Sequence, residues 1–327
     1  MTTSSGVDAI DRRLLNLIQK DFPLVVRPFA AMGEQLGISE EDALARARHL
    51  KEAGIIRQIS AIFDSRHLGY SSTLVAMDIP EEHIDESANR ISEHPGVSHN
   101  YKRDHSFNLW FTLTLPPGAD LEAEVAQLSA GAEARRARIL PALRVFKIGV
   151  ELDLEQGANV AEKRPPSEQP PRSFTEEDLN YVRVLQQDLP LEPTPFQGWA
   201  ESLGISQEEM FAKAKDFEAS GVMRRFAAVL RHQKAGFVAN GMICCRIPED
   251  QLPDLGYRLA SYPQVSHCFQ RPLYPDWPYN VFSMVHARSR QQCEEIARRM
   301  SQEIGVDDYV ILYSTKEYKK KRVRYYV

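Results

Sequence analysis

Histidine, arginine and aromatic residues are concentrated in two short segments of this 327-residue chain. The first reads HNYKRDHSFNLWF over 99–111, and the second reads HCFQRPLYPDWPYNVF over 267–282. Histidine can act as an acid, a base or an iron ligand near neutral pH. Arginine offers a planar fork for carboxylates, and Trp and Tyr provide faces for a flat ring system. These residue types together favour a site for a flat, aromatic ligand that carries several carboxylates.

The two segments occupy equivalent places in an internal duplication. LGIS at 36–39 reappears at 203–206, and HPGVSH at 94–99 reappears as YPQVSH at 262–267. Between the copies lies AEKRPPSEQPPR at 161–172, whose four prolines and lack of apolar periodicity are typical of a linker. Ordered matches of this kind predict two diverged copies of one structural unit.

Each copy shows the same predicted order of elements. Apolar residues at helical spacing predict three helices, with a Gly-Ile turn and a serine N-cap before the third, as in a helix-turn-helix. A strand follows, and then a strand-helix-strand-strand-helix-strand order that is ferredoxin-like; its last strand in copy one is predicted over 142–152. We therefore predict an α+β tandem repeat with a winged helix-turn-helix domain at 1–65, a ferredoxin-like domain at 66–155, a linker at 156–172, a helix-turn-helix domain at 173–232 and a ferredoxin-like domain at 233–327.

The copies differ where the candidate functional residues lie. His99 and His267 are shared, as are Arg103 and Arg271, whereas His105 has no counterpart in copy two. Copy two instead inserts four residues around Tyr274 and Trp277, and its wing strand runs on into Arg231 and His232. A diverged pair of copies suits an asymmetric ligand better than a palindromic DNA site.

The segments YKRDHSFNLWF (101–111), RRFAAVLRHQKAGF (224–237) and RPLYPDWPYN (271–280) closely resemble siroheme decarboxylase. That family has the Lrp/AsnC fold and is usually built from two related subunits, which here look fused. The resemblance implies a carboxy-lyase that removes CO2 from the acetate side chains at C12 and C18 of siroheme, giving 12,18-didecarboxysiroheme for heme d1 or alternative heme biosynthesis. No cofactor beyond the substrate iron is expected, because the conjugated macrocycle can itself accept the electron pair.

This reaction suggests roles for the candidate residues. His105 and His232 are the first candidates for proton donors, because each occurs in one copy only. His99 and His267 are the next, either as catalytic groups or as an axial contact to the substrate iron. Tyr274 and Trp277 would form walls of the pocket, and the substrate carboxylates would be bound by basic residues: Arg57, Lys102, Arg103, Arg224, Arg225, Arg231 and Arg271.

Two other functions are compatible with the same fold. One is an Lrp/AsnC-type transcription regulator, which could sense a tetrapyrrole; the other is a tetrapyrrole carrier without chemistry. DNA binding is disfavoured because the third helix begins Ser-Glu-Glu-Asp at 39–42, and acidic side chains there repel phosphates. The formal net charge of −5 points the same way, so nucleic acid is not an expected partner.

The remaining expectations concern compartment and assembly. No apolar run approaches the length of a membrane helix, and the N-terminal residues do not resemble a secretory signal. The four cysteines do not form a disulfide framework. A reduced, cytoplasmic setting is therefore expected, with the copies forming an internal pseudo-dimer and further homo-oligomerisation left open.

Overall fold

The computed structural model describes residues 7–148, 151–153, 158–160, 173–230 and 239–327. The helices of these ranges are α1 (Ala9–Lys20), α2 (Pro28–Leu36), α3 (Glu40–Glu52), α4 (Ile84–Glu93), α5 (Leu121–Gly131), α6 (Glu176–Leu185), α7 (Gln197–Leu203), α8 (Gln207–Ala219), α9 (Leu252–Ser261) and α10 (Arg290–Ile304). The strands are β1 (Ile56–Phe63), β2 (Ser71–Asp78), β3 (Val97–Arg103), β4 (Leu109–Leu115), β5 (Arg136–Pro141), β6 (Arg144–Lys147), β7 (Glu151–Asp153), β8 (Ala158–Val160), β9 (Met223–Leu230), β10 (Ala239–Cys245), β11 (Val265–Gln270), β12 (Val281–Ala287) and β13 (Tyr309–Lys320). No helix of the described ranges is long and apolar enough to cross a membrane.

The predicted helix-turn-helix turn is present in both copies. Gly37 and Gly204 end α2 and α7 in the left-handed region, with φ of 73° and 71°, where a side chain would be strained. Ser39 and Ser206 then cap α3 and α8 by accepting backbone hydrogen bonds from the third residue of each helix. Local sequence therefore determines this turn twice.

Both ferredoxin-like sheets are also confirmed. Strands of copy one lie in the order β5-β2-β4-β3, and those of copy two in the equivalent order β13-β10-β12-β11. The two sheets join because β13 of copy two pairs with β3 of copy one, so that nine strands form one continuous sheet. The copies are thus paired through backbone hydrogen bonds inside a single chain.

The prediction of one strand over 142–152 was wrong. The chain forms β5 beside β2, turns after Pro141, and then forms β6, which pairs with β11 of copy two. An open edge strand has backbone N–H and C=O groups without hydrogen-bond partners. Here β11 would be such an edge, and β6 provides the hydrogen-bond partners for it. Further on, β7 and β8 pair with each other, and β8 falls inside the predicted linker, of which 156–157 and 161–172 lie outside the described residues.

The two helix-turn-helix domains share one apolar core. Strands β1 and β9 pair antiparallel, and Phe22 of copy one contacts the rings of Phe196 and Phe226 of copy two. Two equivalent backbone hydrogen bonds cross between the copies, from Phe22 N to Phe226 O at 2.9 Å and from Leu189 N to Ile59 O at 2.8 Å. Because full burial of one such side chain contributes about 1.5–3 kcal/mol, this shared core ties the copies together.

Candidate active site

Two adjoining cavities are lined by strands of the nine-stranded sheet from both copies. The larger, of about 1030 Å³, is bordered by β1, by strands of both sheets and by the chain end at 321–325; we call it the outer cavity. The smaller, of about 370 Å³, is lined by strands of both copies and is called the inner cavity. His99, His267, Phe269 and Arg271 line both. Small-molecule sites usually measure roughly 300–1,000 Å³, so this space suits a large ligand.

The shared histidines occupy equivalent positions in this space. His99 lies on β3, with its Nδ1 2.9 Å from Ser98 Oγ, and His267 lies on β11, with its Nδ1 3.0 Å from Ser266 Oγ. Each ring stacks on the aromatic residue two positions along its strand, Tyr101 in one case and Phe269 in the other. The structure therefore brings together the two histidines that the duplication repeats.

A hydrogen-bonded chain distinguishes copy two from copy one. His286 Nε2 lies 2.8 Å from Ser266 Oγ, and His286 Nδ1 lies 2.6 Å from Asn240 Oδ1. The paired positions in copy one hold Thr114 and Ser72, whose hydroxyls bond to each other at 2.9 Å. Sequence reasoning missed His286, although comparing the two copies position by position could have found it.

His99 is neutral at physiological pH in this structure. Burial, and then the positive charges of Lys320, Arg57 and Arg322, lower its pKa to about 4. Because three positively charged side chains surround this imidazole, the electrostatic potential in the cavity is positive and favours an anionic ligand.

Two equivalent arginines line the inner cavity: Arg103 is buried, and Arg271 is half-buried with its Nε buried. Arg103 donates to Leu312 O at 2.9 Å and Arg271 donates to Leu140 O, and burial lowers the pKa of each to about 10. Within the described residues, the Nε of neither guanidinium has a hydrogen-bond partner. Because an uncompensated buried charge is costly, both positions favour a carboxylate ligand.

Two further arginines of the predicted set, Arg57 and Arg224, lie along the outer cavity. Arg57 lines it and donates to Lys320 O, and Arg224 lines it and pairs with Asp64 at 2.8 Å. Arg225 precedes the shared-core Phe226 on β9, and its charge lowers the pKa of Arg322. Sequence reasoning did not single out the basic residues that end the chain; the run KKKRVR at 319–324 was the available signal.

Other predicted site residues lie elsewhere. Neither cavity includes His105, Tyr274 or Trp277 among its described lining residues, and Lys102 forms an ion pair with Glu81 instead. Arg231 and His232 lie outside the described residues.

His105 packs beside the inserted segment of copy two. Its ring lies edge-on to Trp277, with 5.3 Å between centroids, and its Nδ1 accepts from Phe107 N at 3.1 Å. Burial, and then the charge of Arg136, lower its pKa. Tyr274 donates to Ile139 O at 2.6 Å, and Trp277 is 1% exposed. Their role as walls of the substrate pocket stays a prediction.

The fold and the site define a tandem of helix-turn-helix and ligand-binding domains. Residues 67–147 and 234–319 match the AsnC-like ligand binding domain, and residues 11–57 and 178–224 match the siroheme decarboxylase NirDL-like HTH domain. Both matches occur once in each copy, which confirms the duplication.

Relatives that match along the whole chain identify the family. The siroheme decarboxylase of Hydrogenobacter thermophilus is 39% identical over 96% of this chain and 94% of its own length. The crystal structure of the siroheme decarboxylase NirDL in co-complex with an iron-uroporphyrin III analogue superimposes with a TM-score of 0.77 at 35% identity, covering 98% of this chain and 95% of that one. This chain belongs to the siroheme decarboxylase family and is a carboxy-lyase.

A half-length relative shows that the present chain is a fused form. The siroheme decarboxylase beta subunit of Methanosarcina barkeri is 40% identical over 45% of this chain and 97% of its own length. One copy of the duplication thus corresponds to a whole subunit of that relative.

Proposed function

We propose that this enzyme removes CO2 from the acetate side chains at C12 and C18 of siroheme, giving 12,18-didecarboxysiroheme, and that the adjoining cavities hold the substrate. The observation that carries this proposal is the pair of equivalent arginines, Arg103 at the end of β3 and Arg271 directly after β11, whose Nε atoms are both buried in a cation-lined space. A macrocycle with acidic side chains around its rim matches that arrangement. The product would serve heme d1 or alternative heme biosynthesis.

The chemistry requires little beyond the substrate and the cavity. In each step the bond between the carboxylate carbon and the methylene carbon breaks, CO2 leaves, and the electron pair stays on the methylene carbon. The conjugated macrocycle can delocalise that pair until a proton converts the methylene to a methyl group. No cofactor beyond the substrate iron enters this scheme.

The arginines would bind the carboxylates that are not lost. Arg103 and Arg271 would act in the inner cavity, and Arg57, Arg224 and Arg225 around the outer cavity, since a guanidinium can bind a carboxylate through two hydrogen bonds. Lys102 is left out of this proposal because it already pairs with Glu81.

We assign the proton to His267, because its hydrogen bonds orient its ring. Asn240 Oδ1 can only accept, so a neutral His286 donates from Nδ1 and accepts at Nε2. The Ser266 hydroxyl donates to this Nε2 at 2.8 Å in preference to Met284 O at 3.3 Å. The Ser266 oxygen then accepts from His267 Nδ1, and His267 Nε2 would deliver the proton to the substrate.

His99 suits a different task. Its low pKa keeps the imidazole neutral, and a neutral imidazole is the form that contacts a metal. We propose His99 for the axial contact to the substrate iron.

His105 and His232 remain predictions from the sequence. Turnover of siroheme by His105→Ala and His232→Ala tests them, with thermal unfolding as a check on folding. If both variants kept wild-type turnover, neither would be a proton donor.

The decisive experiment is anaerobic incubation of the full chain with siroheme, followed by mass analysis of the tetrapyrrole. Two successive losses of CO2 are expected. Unchanged siroheme that stays bound would show a carrier and reject the proposal. Replacing His267 by Asn should lower turnover by about 10²–10⁴-fold, the usual contribution of a positioned acid or base, while the affinity for the substrate is kept.

A further inference from the structure

We propose that the last seven residues, 321–327, form an arm with which copy two binds a substrate carboxylate in the outer cavity, through Arg322. This proposal rests on the proposed function, since it names a further binding residue for the same substrate. Sequence reasoning gave the arm no role.

The arm is tied to copy one where it leaves the sheet. It continues β13, which ends at Lys320, and Lys321 N donates to Ser98 O at 2.7 Å. Ser98 is the neighbour of His99 on β3, so the arm starts beside the cavity histidine.

A second attachment lies near the end of the arm, where its backbone forms hydrogen bonds with side chains of α6 and of the residue that follows α6. Tyr325 N donates to Gln186 Oε1 at 2.7 Å, and Gln186 Nε2 donates back to Tyr325 O at 2.8 Å. Arg183 Nε donates to Tyr326 O at 2.7 Å. This two-point attachment fixes the backbone on both sides of Arg322.

Aromatic packing strengthens the second attachment. The Tyr325 ring lies edge-on to Tyr70 and Phe63, with centroid distances of 5.0 and 6.4 Å, and Tyr326 N donates to the Tyr70 hydroxyl at 2.7 Å. Because Tyr70 and Phe63 belong to copy one, the arm is a structural link from copy two to copy one as well as a wall of the cavity.

Arg322 has the electrostatic setting of a binding residue without its ligand. Its side chain is exposed and lines the outer cavity. Surrounding protein atoms lower its pKa to about 10, together with the charges of Arg57, Arg225 and Arg224 and against the opposing effect of Tyr325. A side chain exposed into a cavity has both properties. Like charges held this close destabilise the folded protein, whereas a carboxylate placed among them would gain charge-assisted hydrogen bonds.

The test is a titration of the full chain with iron-uroporphyrin III, followed by absorption, for wild type, Arg322→Ala and Arg322→Lys. Arg322→Ala is expected to weaken binding by about 10–100-fold, the range for a hydrogen bond to a charged group. Arg322→Lys should recover part of the affinity. The matched control is Arg298→Ala, an exposed arginine on α10, which should bind as wild type does.

Thermal unfolding without ligand separates binding from stability. Removing a positive charge from this cluster should leave the Tm unchanged or raise it. A lower Tm for Arg322→Ala, or an unchanged Kd, would overturn the arm proposal. If wild type released CO2 from siroheme while Arg322→Ala bound iron-uroporphyrin III normally, the arm proposal would fail and the proposed function would stand. If Arg322→Ala bound weakly but wild type released no CO2, the proposed function would fail and the arm would remain a binding element.

Discussion

His286 Nε2 lies 2.8 Å from Ser266 Oγ, and this contact joins a histidine of β12 to the cavity histidine of β11 through one hydroxyl. Copy one repeats the serine and the cavity histidine as Ser98 and His99 but has Thr114 in place of His286. The two copies therefore present similar rings in different hydrogen-bonding environments, which is the asymmetry that two unlike tasks require.

Matched serine variants test that asymmetry. Ser266→Ala removes the hydroxyl that links His286 to His267. Ser98→Ala removes a hydroxyl that forms a hydrogen bond with one histidine, His99. We expect Ser266→Ala to lower kcat by at least about tenfold, a modest part of the usual effect of a positioned acid or base, and to shift the pH profile of kcat. Ser98→Ala should leave that profile in place; equal shifts in both variants would contradict the assignment of the proton to His267.

The pKa of His99 predicts a stability loss in acid. The folded protein holds this pKa near 4, below the ordinary value of 6.5. As pH falls from 6.5 towards 4, the unfolded chain takes up a proton that the folded chain does not, so stability falls in this window and is unaffected above it. At pH 5 the His99 contribution is about 2 kcal/mol.

Urea unfolding of wild type and His99→Gln at pH 7.5 and pH 5 measures that contribution. The variant should lose less stability than wild type on acidification. A control variant, His83→Gln, changes an exposed histidine and should follow wild type. Parallel losses in wild type and His99→Gln would show that His99 is not held neutral.

The two arginines of the inner cavity should oppose folding while they aid binding. Replacing Arg271 by Met keeps much of the side-chain volume over Phe269 and Phe282 but removes a positive charge whose Nε is buried. Since apolar replacement of buried charges is often neutral or stabilising, the Tm without ligand should not fall. The Kd for iron-uroporphyrin III should rise by about 10–100-fold. A lower Tm with an unchanged Kd would make Arg271 a structural residue.

The shared helix-turn-helix core should unfold as one unit. Phe22 is fully buried and contacts rings from both copies, so Phe22→Ala should cost about 3–5 kcal/mol. The exposed Val25→Ala should stay within about 0.5 kcal/mol of wild type. Urea unfolding followed at the aromatic residues should show one transition for this core, and two separate transitions would mean that the two helix-turn-helix domains fold independently.

The sequence by itself determined the features that depend on local patterns. Gly37 and Gly204 mark the helix-turn-helix turns because only glycine adopts a positive φ there without strain. Helical and strand periodicities predicted both ferredoxin-like orders, and comparison of the copies directed attention to His99 and His267, which the structure places in one cavity.

Only the tertiary structure decided how the copies meet. The pairing of β3 with β13, the departure of β6 from its own copy to β11, and the return of the chain end to Tyr70 are contacts between residues far apart in sequence. Such contacts satisfy backbone groups and bury aromatic rings, and these gains depend on which surfaces come together rather than on any local pattern. For the same reason the sequence could single out His105 by its type but could not place it against Trp277, outside the described cavity lining.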